Sequence, residues 1–286
     1  MISTPFVLRR PSQVTTPYVF ASPHSGCDYS NAFQRKSILD LTTLRSSEDA
    51  FVDKIFDNVI TMGAPFLAAS APRSYVDLNR ASEELDSGVV EGVRNTAHNP
   101  RIVSGLGVIP RVVSNGRSIY HGKISNAEAK ERLNDVWYPY HRKLQELLDA
   151  ARGMFGRAIL IDCHSMPHEA VDPGDCKGNV APQIVLGDRF GASADTSMVD
   201  RIQLAFEREG FRVARNAPFA GAYITQNYGR PLRHQHVVQV EIDRSLYMNE
   251  ATLALKPEFS SVRRSLLSAM KTIIDNDRMH HAVAAE

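Results

Sequence analysis

The chain has 286 residues, of which 43% are hydrophobic and 23% charged, and its formal net charge is +1 at pH 7. These values are ordinary for a soluble globular protein, and the near-neutral charge gives no reason to expect nucleic acid or an acidic membrane as a partner. We expect no transmembrane helix and no secretory signal, and the three widely spaced cysteines, Cys27, Cys163 and Cys176, fit a reducing cytoplasm better than a disulfide framework or a zinc finger.

The first predicted strand ends at a histidine. Pro17–Ser22 is largely apolar, and Pro23–Gly26 follows it as a turn that contains His24. In open α/β sheets, ligands bind beyond the ends of the strands. His24 is therefore a candidate ligand or base, and a hydrogen-bonded turn histidine is the alternative.

An amphipathic helix is predicted over Leu44–Ile60, with a serine as its N-cap and Gly63 at its C-terminal end. Glu48 and Asp49 fall in its first turn, where acids stabilise the helix dipole without any further role. Both also lie near the edge of the apolar stripe, so either is a candidate to face inward.

A further strand is predicted at Ala64–Ala69, and the segment Arg73–Arg80 after it is rich in charged and amide side chains. Arg73, Asn79 and Arg80 are candidate site residues, because an arginine with a neighbouring asparagine can fork onto a carboxylate. A surface ion-pair cluster is the alternative.

The middle of the chain is predicted to be a long loop followed by a long helix. Residues 81–123 are irregular apart from a short strand at Val108–Val113, and long loops in compact domains are often lids. Ser125–Arg152 is predicted as a helix that begins with a capping box and is kinked by Pro139. His141 follows the kink, where a packing role is favoured over a role in a site.

A second apolar run, Ala158–Ile161, is typical of a strand that is buried on both faces. It is predicted to end at a polar tip with Asp162 and His164, which share a face because side chains alternate along a strand. Pro167 then prevents its continuation. His164 is a candidate metal ligand or base, and Cys163 points to the opposite face.

The remaining segments continue the mixture of strands and helices. Glu241 stands in the alternating strand His236–Asp243, where a buried carboxylate is costly unless it is paired or functional. Tyr223 lies in a predicted loop, Ala217–Gly229. The other predicted elements are strands at Pro182–Gly187 and Phe211–Ala214 and helices at Met198–Glu209 and Ser260–Asn276.

This order predicts an α/β fold, a three-layer α/β/α arrangement with a mostly parallel mixed sheet, as one domain over residues 1–286. Two imidazoles and one carboxylate with an open fourth position form the ligand set of a hydrolytic zinc site. His24, His164 and one of the two acids Glu48 and Asp49 supply that set. Glu241 fits a general base that binds no metal.

Around that centre, the arginine-rich segment has two candidate roles. Asn79 and Arg80 can hold a substrate carboxylate. Arg73 is a candidate to stabilise the oxyanion that forms when water attacks an amide carbonyl.

Several segments from about residue 20 to residue 250 resemble one known family. They are Pro23–Gly26, Glu48–Asp53, Arg73–Arg80, Pro139–His141, Ile161–Met166, Asn216–Phe219 with Gly221–Tyr223, and Gln239–Met248. In this order they look like those of the N-formylglutamate amidohydrolases (deformylases), a family that resembles the zinc carboxypeptidases in fold and site.

The resemblance implies one Zn²⁺ per chain, held by His24, His164 and an acid at the predicted helix start, with Glu241 as base and Tyr223 as a substrate contact. It implies hydrolysis of an N-acyl amino acid, typically N-formyl-L-glutamate to formate and glutamate, in histidine degradation. Many members have Trp and His directly after the first acid, where this chain has Ala and Phe. Alignment favours Asp49 as the ligand, whereas the helical wheel favours Glu48.

Other functions are alternatives. A related enzyme would act on another small amide or on a peptide terminus, and a non-catalytic protein on the same scaffold would bind small carboxylates. A thiol hydrolase built on Cys163 or Cys27 is disfavoured, because Cys163 faces away from His164. The oligomeric state is left open.

Overall fold

The computed structural model describes residues 4–94, 99–172 and 180–283. Its strands are β1 (Phe6–Arg9), β2 (Tyr18–Ser22), β3 (Phe66–Ala69), β4 (Ala158–Met166), β5 (Ile184–Gly187), β6 (Val213–Arg215), β7 (Gln235–Asp243), β8 (Met248–Asn249) and β9 (Ala254–Leu255). Its α-helices are α1 (Asn31–Lys36), α2 (Leu41–Leu44), α3 (Val52–Phe56), α4 (Pro100–Val103), α5 (Asn126–Arg132), α6 (Tyr138–Phe155), α7 (Thr196–Arg208), α8 (Tyr223–Tyr228) and α9 (Phe259–Val283).

The main sheet has seven strands in the order β1-β3-β2-β4-β7-β5-β6. The pairs β2–β4, β4–β7 and β5–β6 are parallel, and β5–β7 is antiparallel. The predicted α/β class with a mostly parallel mixed sheet is therefore confirmed. In the part of the chain that the structure describes, no helix has the length and apolar character that a membrane span requires.

The central pair β4–β7 carries the polar residues that the sequence places at strand ends. Residue His164 is the register partner of Glu241, and Asp162 is the partner of Gln239. Because side chains alternate along each strand, all four lie on one face of the sheet. The apolar run Ala158–Ile161 and the polar tip predicted after it form one strand, which continues to Met166 and stops at Pro167, as predicted.

The predicted helix Leu44–Ile60 is wrong as a single element. A short 3₁₀ turn covers Arg45–Ser47, and α3 begins only after Phe51, whose φ of 68° lies in the left-handed region. Glu48 between them is extended, with ψ of 136°. The two acids therefore precede the helix rather than cap it, and Phe51, not a serine, stands at the N-cap. Gly63 does end the following 3₁₀ helix, at φ of 83°.

Three other predicted elements differ from the structure. Val108–Val113 forms only an isolated bridge, between Val112 and Ser118. The predicted loop Ala217–Gly229 contains α8. The predicted helix Ser125–Arg152 corresponds to α5 and α6, which are joined by a π-helical turn, Leu133–Trp137, shortly before Pro139.

The chain folds into two compact units. The first comprises Met1–Val7, Pro23–Ala50 and Leu67–Gln145, and the second comprises Leu8–Ser22, Phe51–Phe66 and Glu146–Glu286. The first has an apolar cluster of Phe33, Leu39, Leu44, Val113 and Ile119, and the second has one of Met166, Val171 and Val185. The single catalytic domain over residues 1–286 stays a prediction.

Candidate functional site

His24 lies in the turn after β2 and is held from both sides. Its Nε2 lies 2.7 Å from Oδ1 of Asp77, and its Nδ1 lies 3.6 Å from Oδ2 of Asp49. Gly26 shapes this turn, because a Cβ atom there would lie 2.0 Å from the carbonyl oxygen of Ala71. The glycine of the motif is therefore required for a close backbone approach.

Asp77 is the carboxylate that orients His24. Its Oδ1 also accepts a hydrogen bond from the backbone N–H of Asn79 (2.8 Å), and its Oδ2 accepts one from Nε of Arg73 (3.0 Å). Burial alone would raise the pKa of Asp77, but the charges of Arg73, His24 and Arg80 hold that pKa well below its usual range. An ionised carboxylate only accepts, so Nε2 of His24 carries a hydrogen, and Nδ1 is the ring nitrogen that could bind a metal ion.

The two neighbouring acids have different partners. Glu48 receives a two-pronged contact from Arg45, with Nε to Oε2 at 2.9 Å and Nη2 to Oε1 at 3.0 Å, and Tyr29 donates its hydroxyl to the same carboxylate. Asp49 instead donates its backbone N–H to the carbonyl of His24 (3.0 Å). The carboxylate of Asp49 lies close to the His24 ring, with Oδ2 3.6 Å from Nδ1. The carboxylate of Glu48 is instead paired with Arg45.

The described residues contain a buried group that can hold a metal ion, namely His24, Asp49 and His164. One nitrogen or oxygen atom from each lies within 4.8 Å of the others, and the three residues are 2%, 1% and 2% exposed. A buried carboxylate is costly unless it is paired, and two imidazoles with one carboxylate are a set of donors that divalent metals prefer. The donor set thus fits a metal ion.

His164 is presented by the central strand β4. Asp162, two residues earlier on the same face, lies with Oδ1 3.1 Å from Nε2 of His164. The alignment is poor, since neither oxygen of Asp162 has a hydrogen-bond partner among the described residues. Cys163 points to the other face and its thiol contacts the carbonyl of Ile161. Burial holds the pKa of Cys163 well above its usual value, which argues against a nucleophilic thiolate.

Glu241 lies beside His164 on the adjacent strand and is 8% exposed. The side-chain amide of Gln239 donates a hydrogen bond to its Oε1 at 2.8 Å. The residue is thus a buried carboxylate on the same face as a candidate metal ligand.

Tyr223 reaches this part of the second unit through a tight backbone contact. Gly187 is the register partner of Gln239, and a Cβ atom on Gly187 would lie 2.8 Å from the backbone of Ala220 and of Gly221. The loop before α8 therefore lies on the sheet face that carries Gln239 and Glu241. Tyr223 is the first residue of α8 and follows directly from that loop.

Arg80 and Asn79 lie next to Asp77 in sequence and in space. Nε of Arg80 donates to the carbonyl of Leu106 (3.0 Å), and Nη1 donates to the carbonyl of Asn79 (3.1 Å). The remaining nitrogen, Nη2, has no hydrogen-bond partner among the described residues. Burial lowers the pKa of Arg80, yet a guanidinium stays charged at any ordinary pH. This arrangement can bind an anion.

Sequence reasoning missed Asp77 and Asp162 as parts of the site. Asp77 stands in a cluster of charged residues, and its partner His24 is 53 positions away. Asp162 was noted only as part of the strand tip. For Asp162 the signal was its spacing of two residues from His164, which places both carboxylate and imidazole on one face.

We expect Asp77→Asn to weaken metal binding by about 10- to 100-fold, because the asparagine cannot supply the negative charge that fixes the His24 ring. Chelator competition with the purified protein measures this affinity. Asp86→Asn is a matched control, since Asp86 is equally buried but is paired with Arg111. Unchanged affinity in Asp77→Asn would show that Asp77 only supports the fold.

Comparisons with known proteins agree on one family. A family model for N-formylglutamate amidohydrolase matches residues 16–248. The N-formylglutamate deformylase of Pseudomonas aeruginosa is 30% identical over 255 residues, which cover 88% of this chain and 90% of that protein. That of Pseudomonas putida is 30% identical over 237 residues, 82% of each chain. The crystal structure of N-formylglutamate amidohydrolase from Ralstonia eutropha JMP134 superposes with a TM-score of 0.88 at 32% identity and covers 98% of this chain and 99% of that one.

Proposed function

The chain belongs to the N-formylglutamate amidohydrolase family, and we propose on this basis that it hydrolyses N-formyl-L-glutamate to formate and L-glutamate. The observation that carries the proposal is the buried group of His24, Asp49 and His164, with the carboxylate of Glu241 on the strand beside His164. That combination of residues supports both amide cleavage and its dependence on a metal ion.

We assign one Zn²⁺ per chain to His24, Asp49 and His164. Asp49 is favoured over Glu48 because the carboxylate of Glu48 is already paired with Arg45. When bound, zinc supplies a Lewis acid that polarises a carbonyl and lowers the pKa of water. Side chains of the protein supply proton transfer, oxyanion stabilisation and substrate binding.

Glu241 takes the proton from the water that attacks the formyl carbon, and then returns it to the amine of the leaving glutamate. Arg73, which Asp77 holds through Nε, lies near His24 and is placed to stabilise the negative charge that develops on the carbonyl oxygen. Asn79 and Arg80 bind a carboxylate of the substrate, and Tyr223 contacts it from the first position of α8. Together these contacts orient the scissile amide.

Arg80→Ala is expected to raise KM for N-formyl-L-glutamate by about 10- to 100-fold, because it removes a charge-assisted hydrogen bond to a carboxylate. Steady-state kinetics measure this, with the thermal midpoint as a test of folding. A normal KM in a well-folded variant would make Arg80 a structural residue only.

The test of the proposal combines metal analysis of the purified protein with a formate-release assay on N-formyl-L-glutamate, with and without a chelator. About one zinc per chain and chelator-sensitive release are expected. Zinc without formate release would keep the site and point to another small amide or a peptide terminus as substrate. Neither metal nor activity, even with added zinc, would favour a carboxylate-binding protein on the same scaffold.

We also propose that the enzyme acts in histidine degradation in the cytoplasm. The family supports the first point, and the free thiols of Cys27 and Cys163 support a reducing compartment. Cys176 lies outside the described residues. Fractionation of cells grown on histidine, followed by detection of the protein, tests both points.

A further inference from the structure

The π-helical turn Leu133–Trp137 brings two aromatic side chains to the segment that carries Asn79 and Arg80. Pro139 cannot donate a backbone hydrogen bond and its ring clashes with the preceding turn, which accounts for the irregular turn just before it. Turns of this kind are frequent at functional sites. Trp137 and His141, four residues apart, lie on one side of the helix and contact each other, with ring centroids 4.0 Å apart.

Both rings bind backbone carbonyls on either side of Asn79. Nε1 of Trp137 donates to the carbonyl of Arg80 (2.9 Å), and Nε2 of His141 lies 3.0 Å from the carbonyl of Leu78. The N–H of Asn79 is held by the carboxylate of Asp77 at 2.8 Å. The backbone of Leu78, Asn79 and Arg80 is thus fixed at three consecutive residues, although it belongs to no strand or helix.

His141 acts here as a neutral donor. A carbonyl oxygen only accepts, so Nε2 must carry the hydrogen. Burial lowers the pKa of His141 to about 3, so the ring stays uncharged and the contact persists across the range in which an enzyme of this kind would work. The contact therefore acts as a fixed support.

We propose that Trp137 and His141 are positioning residues for substrate binding. They fix the backbone of the segment whose residues Asn79 and Arg80 bind the substrate carboxylate. This rests on the proposed function of Asn79 and Arg80. Neither ring touches the substrate in this scheme. Their effect is to keep Asn79 and Arg80 in position, because small displacements of binding groups lower the rate or the affinity by large factors.

The test uses purified, zinc-loaded full-length protein and measures KM and kcat for N-formyl-L-glutamate, inhibition by the product L-glutamate, and metal content. Trp137→Phe and His141→Phe keep an aromatic ring at each position and remove the N–H donor. Each is expected to raise KM and the inhibition constant of L-glutamate by about fivefold, with kcat and zinc content within about twofold of the wild type, since one net hydrogen bond is lost. His141→Gln keeps an N–H donor and is expected to restore most of the affinity.

Tyr138→Phe is the matched control, because Tyr138 lies on the same helix with its ring 5.0 Å from that of Trp137 and is half exposed. It should leave both constants unchanged. Lower thermal stability with unchanged KM in both donor-free variants would overturn the inference and leave the rings with a purely structural role. Arg80→Ala distinguishes failure of the proposed carboxylate binding from failure of the positioning role. A normal KM in Arg80→Ala would refute the binding of the substrate carboxylate by Arg80. A raised KM in Arg80→Ala with normal values in Trp137→Phe and His141→Phe would refute only the positioning role.

Discussion

Glu241→Gln is expected to keep its zinc and to lose turnover by a factor of about 10²–10⁴, because an amide of the same shape cannot accept the proton from the attacking water. Glu241 is buried in β7 beside His164, and the side-chain amide of Gln239 donates a hydrogen bond to its carboxylate. The glutamine replaces a carboxylate by a neutral group of nearly the same size. It therefore removes the base and leaves the packing of the strand nearly unchanged.

Metal analysis and kcat of the Glu241→Gln variant are measured together. Asp243→Asn is a suitable control, because Asp243 lies two residues further along the same face but binds His168 at 2.8 Å and caps the next turn. That control should retain turnover. Loss of zinc in Glu241→Gln would make Glu241 a ligand, and full turnover would remove it from the mechanism.

Asp49→Asn is expected to lower zinc affinity by more than about 100-fold, with a corresponding loss of activity at limiting zinc, because it removes the one anionic ligand of the set. The effect should exceed that of losing an orienting partner, which is typically 10- to 100-fold. The carboxylate of Asp49 is 3.6 Å from Nδ1 of His24, in a group from which solvent is nearly excluded.

Glu48→Gln is the matched comparison for Asp49→Asn. It is expected to keep its zinc and to lose thermal stability, because Arg45 would lose its ion-pair partner. Chelator competition and thermal unfolding of the two variants decide between the acids. The opposite pattern, with zinc lost in Glu48→Gln and kept in Asp49→Asn, would assign the ligand to Glu48.

The sequence-based expectations were most accurate where one strand fixes the geometry. The alternation of side chains in β4 and β7 correctly placed Asp162 with His164 and Gln239 with Glu241. The polar tip that was expected after the apolar run lies within β4 itself. The backbone pairing with β7 does not depend on side-chain polarity, so the ladder continues to Met166.

The less accurate expectations concern residues whose conformation depends on distant partners. The apolar stripe of α3 was correctly identified, but nothing local indicates that Phe51 adopts a left-handed conformation that detaches the two acids from the helix. The same applies to Glu48 and Asp49, whose different partners, Arg45 and His24, cannot be separated by helical periodicity. His141 was expected to have a packing role, and its hydrogen bond to Leu78, 63 positions away, could not be read from the pattern.

The pairing of Arg45 with Glu48 also determines the electrostatic field that a substrate would encounter. Two imidazoles and a single aspartate would leave a divalent ion at this site with one uncompensated positive charge. A second acid in contact with the ion would cancel that charge, but the guanidinium of Arg45 balances Glu48 within its own pair. N-formyl-L-glutamate carries two negative charges at neutral pH, so the surplus charge would draw it toward the ion, and Arg73 and Arg80 would extend that attraction.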